Sequence, residues 1–132
     1  MNPTALLEKT APIAAADWLQ PLMAPRAVAL IGASTVEGSI GNRVLRNVVL
    51  GGYGGEVFAV NPKYGGQTLR VGERDVAFLA SAADLPDPDG GKAAVEMAVV
   101  MTPSRSVAAL METLGAKGVK AAVIVSSGFE EL

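Results

Sequence analysis

The apolar positions of this chain come in two rhythms. Residues 25–32, "PRAVALIG", form an unbroken apolar run between a proline and a glycine. A run of that kind is a strand buried on both faces, as in a parallel sheet. The next stretch, "SIGNRVLRNVVLGG", changes period. Ile40, Val44 and Val48 recur every four residues, with Leu45 and Val49 beside them. That spacing predicts an amphipathic helix, ended by Gly51 and Gly52. "EVFAVNP" (56–62) returns to the strand rhythm and stops at Pro62. Together these make a β-α-β unit.

The second half repeats the alternation. "AAVEMAVVMTP" (93–103) reads as a buried strand that stops at Pro103. "SRSVAALMETLGAKG" reads as a helix with Ser104 as N-cap and Val107, Leu110, Met111 and Leu114 as its stripe. Gly115 or Gly118 is expected to end it, and "VKAAVIVSSG" (119–128) is the next strand. Between the halves, residues 63–91 show the least pattern. One short edge strand and one helical turn around Ser81 to Leu85 are expected there, then a surface loop rich in proline and glycine. Residues 1–24 read as an N-terminal extension, with a brief helix over 14–23 limited by Pro21. Residues 25–132 read as one domain. The expected class is α/β, a Rossmann-like doubly wound, mainly parallel sheet with its ligand crevice at the carboxyl ends of the strands.

Four loops therefore carry the candidate chemistry. "GASTVEGSIG" follows the first strand. A dinucleotide fingerprint needs a second glycine where this chain has Ser34, and a nucleoside-triphosphate loop needs a lysine where it has Ser39. The ingredients of an anion site remain: small residues, the hydroxyls of Ser34, Thr35 and Ser39, and a helix N-terminus. After the second strand, an NAD site wants an acidic residue for the ribose. Here Asn61, Pro62 and Lys63 stand at that place, and a lysine suits an adenosine carrying an extra phosphate. Both NADP and the 3′-phosphorylated ADP of coenzyme A meet that description. Thr102 and Pro103, then Ser126, Ser127 and Gly128, border the crevice with small polar groups. No carboxylate pair or other catalytic constellation is placed by spacing. Glu96 falls within the predicted strand, where an edge or pairing role is expected.

Composition narrows the classes. Eleven basic and 13 acidic residues leave a net charge of −2, so no basic field attracts nucleic acid. Aromatic residues make up 5 % of the chain, too few for a base-stacking surface. The absence of cysteine rules out thiolate chemistry, and the absence of histidine removes the commonest general base and metal ligand, so no metal site is expected. With no long apolar span and no secretory leader, no membrane partner is expected and the cytoplasm is the expected compartment.

The ordered set G-A-S…G-x-I-G, G-Y-x-G, V-N-P-K and S-x-G-F, from residue 25 to 132, resembles one family. It is similar to the coenzyme A-binding domain of nucleoside-diphosphate-forming acyl-CoA synthetases of the acetate–CoA ligase type. It also resembles the start of the succinyl-CoA synthetase α subunit. The resemblance implies that Gly32, Ala33 and Ser34, with Gly38, Ser39, Ile40 and Gly41, wrap the phosphates of coenzyme A. It implies that Asn61, Pro62 and Lys63 run along the nucleotide, with Lys63 near a phosphate. Thr102, Pro103 and Ser126, Ser127 and Gly128 would border the pantetheine arm. In such synthetases a phosphoryl group passes through a histidine of a following domain to a nucleoside diphosphate held by an ATP-grasp domain. A chain without histidine is then expected to be inactive alone, with those domains as its partners. The family's domain adds one more helix and strand, so a fragment or partial domain is expected. Two other readings stand beside this one: an acyl-CoA-sensing domain fused to an acetyltransferase, and an NADP-binding oxidoreductase domain. Bulky residues at Gly38 or Gly41 are expected to abolish binding with the fold intact.

Overall fold

The computed structural model describes residues 20–89 and 94–125. After a four-residue helix α1 (Gln20–Met23) come β1 (Ala27–Ile31), α2 (Ile40–Leu50) and β2 (Glu56–Val60). Strands β3 (Thr68–Val71) and β4 (Arg74–Leu79) follow, then β5 (Met97–Val100), α3 (Val107–Ala116) and β6 (Ala121–Ile124). The six strands form one sheet in the order β3-β4-β2-β1-β5-β6. Only the β3–β4 pair is antiparallel.

β1 lies at the centre, and all five of its residues are buried. Its side chains alternate between two cores. Val28 and Leu30 pack with Leu45 and Val49 of α2 on one face. Ala29 and Ile31 pack with Val100 and Leu114 on the other, where Val107 and Leu110 of α3 also lie. A helix on each face is the doubly wound, Rossmann-like arrangement that the alternation predicts. Among the described residues no helix is long and apolar enough to cross a membrane.

Several local expectations are corrected. The stripe of α2 runs through Gly41, Leu45 and Val49, while Ile40 is 49 % exposed. The cause is the close approach of the helix start to the loop after β1. A Cβ on Gly41 would overlap the Gly32 carbonyl oxygen, so Gly41 takes the inner position and Ile40 turns outward. In α3 the N-cap is Ser106, and Ser104 instead opens a 3-10 turn, Ser104–Ser106. Met111 is 40 % exposed. The patternless middle holds two strands and not one. Gly72, with φ +60, and Glu73 make the two-residue turn of a hairpin. The expected helical turn is present at Ala82–Asp84, closed by a capping box between Ser81 and Asp84. Residues 126–132, with Ser126, Ser127 and Gly128, lie outside the described residues, as do residues 1–19.

Glu96 lies one residue ahead of β5, at the amino ends of the strands. Glu96 is 4 % exposed, and its carboxylate takes donors from Arg26 Nε at 3.0 Å, Arg26 Nη2 at 2.9 Å and Gln20 Nε2 at 3.2 Å. The Arg26 backbone N–H adds a fourth bond at 2.6 Å. These bonds, with those from the Arg26 side chain foremost, hold the carboxyl down to about 2 against the opposing effect of burial. The expected pairing role is what the structure contains.

Candidate functional site

The site lies at the opposite end of the sheet. β1 pairs with β2 on one side and β5 on the other, so the winding direction reverses at β1. In a sheet of this kind the ligand crevice opens beyond the carboxyl ends at that reversal. Ile31 of β1 is in register with Val60 of β2 and Val100 of β5, which brings their following loops together. A cleft of about 490 Å³ occupies the junction. That volume suits a small ligand or part of a larger one.

The cleft gathers Gly32, Asn61, Pro62, Thr102 and Pro103 from three of the predicted loops. Gly32 has φ +96, and a Cβ on it would stand 3.0 Å from the Met101 carbonyl oxygen. A side chain there would wedge the two strand ends apart. Thr102 Oγ1 is buried and has no hydrogen-bond partner among the described residues. An unpaired buried hydroxyl is costly, and Thr102 lines the cleft, so a group bound there is a candidate partner. Sequence reasoning missed part of the wall. Ala80, Ser81 and Ala82 after β4 line the cleft, as does Leu110 of α3. The unrecognised hairpin hid the first group, since β4 had to pair with β2 to bring Ala80 to the crevice.

The rest of the loop after β1 stands beside the cleft. Ala33 is fully buried; its N–H donates to the Leu30 carbonyl at 3.4 Å and its carbonyl accepts from Asn61 Nδ2 at 2.9 Å. Ser34 is 9 % exposed, and its Oγ accepts from the Val36 N–H at 2.9 Å. It also lies 3.4 Å from the Tyr64 hydroxyl. Ser39 caps α2: its Oγ accepts from the Asn42 N–H at 3.2 Å and donates to the Val36 carbonyl at 2.7 Å. Both hydroxyls are thus engaged within the loop. As the first two residues of α2, Ile40 and Gly41 have no intrahelical acceptor for their N–H groups. Gly38, with φ +87, has open space where a side chain would project.

Lys63 is exposed at the rim, held by a turn in which Asn61 Oδ1 accepts the Lys63 N–H at 3.0 Å. Its Nζ lies 5.8 Å from the ring centre of Tyr64. Tyr64 is buried under the loop, edge-on to Phe78 with ring centres 5.7 Å apart. The Ser34 hydroxyl draws the Tyr64 phenol below its usual pKa, against burial. The sequence reading gives Asn42 and Tyr64 no role, because an asparagine in a helix and a tyrosine after a turn carry no motif. Among the described residues no group of three metal-ligating side chains occurs.

Comparison with known proteins follows this geometry. The profile of a CoA binding domain matches residues 26–131. The α subunit of ADP-forming acetate–CoA ligase I from Pyrococcus furiosus is 39 % identical over 114 residues, 86 % of this chain and 23 % of that protein. The ADP-forming acetate–CoA ligase I of Archaeoglobus fulgidus is 34 % identical over 86 % of this chain and 14 % of its own length. A solved structure, the apo form of dinucleotide-forming acetyl-coenzyme A synthetase 1 from Ca. Korarchaeum cryptofilum, superposes with a TM-score of 0.66 at 33 % identity. That match covers 86 % of this chain and 22 % of the larger one. The chain therefore spans less than a quarter of these relatives.

Proposed function

The chain belongs to the family of CoA-binding domains, and from that premise we propose that it holds coenzyme A for an ADP-forming acyl-CoA synthetase. The observation that carries this reading is the cleft at the winding reversal, lined by Gly32, Asn61 and Thr102, whose hydroxyl has no hydrogen-bond partner among the described residues. Relatives at 34–39 % identity that are ADP-forming acetate–CoA ligases support the wider activity.

The residues present suit coenzyme A. Gly32, Gly38 and the N–H groups of Ile40 and Gly41 suit its phosphates, because a backbone free of bulk can approach them closely. Pro62 and Lys63, beside Asn61, edge the nucleotide, with Lys63 as the cation for the 3′-phosphate. Thr102 and Pro103, with Ser126, Ser127 and Gly128, border the pantetheine arm. When bound, coenzyme A supplies the thiol that takes the acyl group. This chain orients the coenzyme and contributes no histidine to phosphoryl transfer. That step falls to a phosphohistidine domain and an ATP-grasp domain, which are its partners in this proposal. One domain, residues 25–132, preceded by an extension over 1–24, carries the binding.

The NADP reading meets two obstacles in the same loop. Ser34 replaces the glycine that lets backbone approach a pyrophosphate, and its hydroxyl is committed to Val36. Calorimetric titration of the chain with coenzyme A, NADP and NAD tests the proposal. Saturable heat with coenzyme A alone is expected. Binding of NADP in its place would overturn it.

A further inference from the structure

The loop after β1 has three of its carbonyl oxygens engaged by side-chain donors. Asn61 Nδ2 donates to the Ala33 carbonyl at 2.9 Å. Asn42 Nδ2 donates to the Ser34 carbonyl at 3.0 Å. Ser39 Oγ donates to the Val36 carbonyl at 2.7 Å. The two asparagines reach the loop from outside it, Asn42 from the first turn of α2 and Asn61 from the end of β2. Asn42 is 4 % exposed, so it lies beneath the loop and not on the cleft surface. The Asn61 amide orientation is fixed from its other end, where Oδ1 accepts the Lys63 N–H.

A backbone loop shows an anion two opposite dipoles. Phosphate is attracted to the N–H ends and repelled by the carbonyl oxygens. A loop becomes an anion site when its carbonyls are turned inward and engaged, leaving N–H groups outward. An asparagine amide on a carbonyl does both. The Ser34 hydroxyl is likewise occupied, by the Val36 N–H.

We infer that Asn42 and Asn61 are positioning residues. They hold the Ser34 and Ala33 carbonyls away from the phosphates and do not bind coenzyme A themselves. This reassigns Asn61 from a nucleotide contact to a support, and it adds Asn42, which no sequence motif marks. The inference rests on the reading of coenzyme A as the ligand.

The test compares Asn61→Ala, Asn61→Asp and Asn42→Ala with the unaltered chain. Coenzyme A is titrated by calorimetry and inorganic pyrophosphate by the shifts of loop amides, with melting midpoints recorded beside them. Each alanine variant is expected to lose about tenfold in affinity, and by the same factor for both ligands. Asn61→Asp keeps the acceptor for the Lys63 N–H but loses the donor to Ala33, so it is expected to bind at least as poorly as Asn61→Ala. Loss of coenzyme A with pyrophosphate unchanged would mean that Asn61 touches another part of the coenzyme, and would overturn the inference. So would Asn61→Asp binding both ligands as the parent does, because shaping the turn would then be enough. If Asn42→Ala fails to fold, the two Asn61 variants decide. If the unaltered chain binds pyrophosphate but no coenzyme A, the proposed function falls and the pyrophosphate arm still decides the inference. If it binds neither, both are overturned.

Discussion

At the residue scale, glycine and lysine positions separate packing from binding. Gly41 is expected to tolerate nothing larger, because its Cβ would strike the Gly32 carbonyl and crowd the Ser34 nitrogen. Gly41→Val should therefore destabilise the chain by about 2 kcal/mol, seen as a lower melting midpoint. The sequence alone led to a different expectation, loss of binding with the fold intact, because it could not show how closely α2 approaches the strand end. Gly38 has open space around it, so there that expectation stands. Its φ of +87 adds a backbone cost of about 1 kcal/mol for a side-chain-bearing residue. Gly38→Val is predicted to weaken coenzyme A at least tenfold with the melting midpoint lowered by only a few degrees, as paired calorimetry and thermal melts would read. For Lys63 the proposed partner is the 3′-phosphate. Lys63→Ala should weaken coenzyme A by about tenfold and dephospho-coenzyme A by much less. Equal loss for both ligands would show that the 3′-phosphate is not its partner.

At the element scale, the buried strands and the long amphipathic helix were legible, and the charged hairpin was not. β1 carries five consecutive buried residues, and no other element fits such a run. β3 and β4 bring Arg70, Glu73, Arg74 and Asp75 around one tight turn. Those charges broke the apolar rhythm, although V-G-E-R is itself a hairpin signal. The missed hairpin also hid the Ala80–Ala82 wall of the cleft. At the other end of the sheet, Glu96 ties the approaches to β1 and β5 together through Arg26. Its carboxyl titrates at about 2 in the folded chain, below the ordinary 4.5. The unfolded chain then takes up its proton first as pH falls. The stabilisation is complete above about pH 4.5 and is lost towards about pH 2. Arg26 stands largely in solvent, so screening keeps the effect small. Glu96→Gln is expected to lower the neutral-pH melting midpoint and to flatten its fall between those pH values. A fall as steep as the parent's would assign acid sensitivity to other carboxylates.

At the scale of the whole molecule, function follows from where the winding reverses. Three loops meet there because β1 is flanked by β2 and β5, and the cleft opens where their registers end. Sequence spacing placed most of those loops, since each apolar run stops at a glycine or an asparagine–proline or threonine–proline pair. It did not reveal the network beneath them, because Asn61 and Tyr64 act through contacts 28 and 30 residues away, and Asn42 through a bond that folds back eight residues onto the loop. The most direct test of the central claim is to map coenzyme A onto the chain by amide chemical shifts. The account predicts that the amides of residues 32–41, Asn61, Lys63 and Thr102 shift together and saturate, while those around Arg26 and Glu96 stay still. Saturating shifts confined to any other face would contradict it.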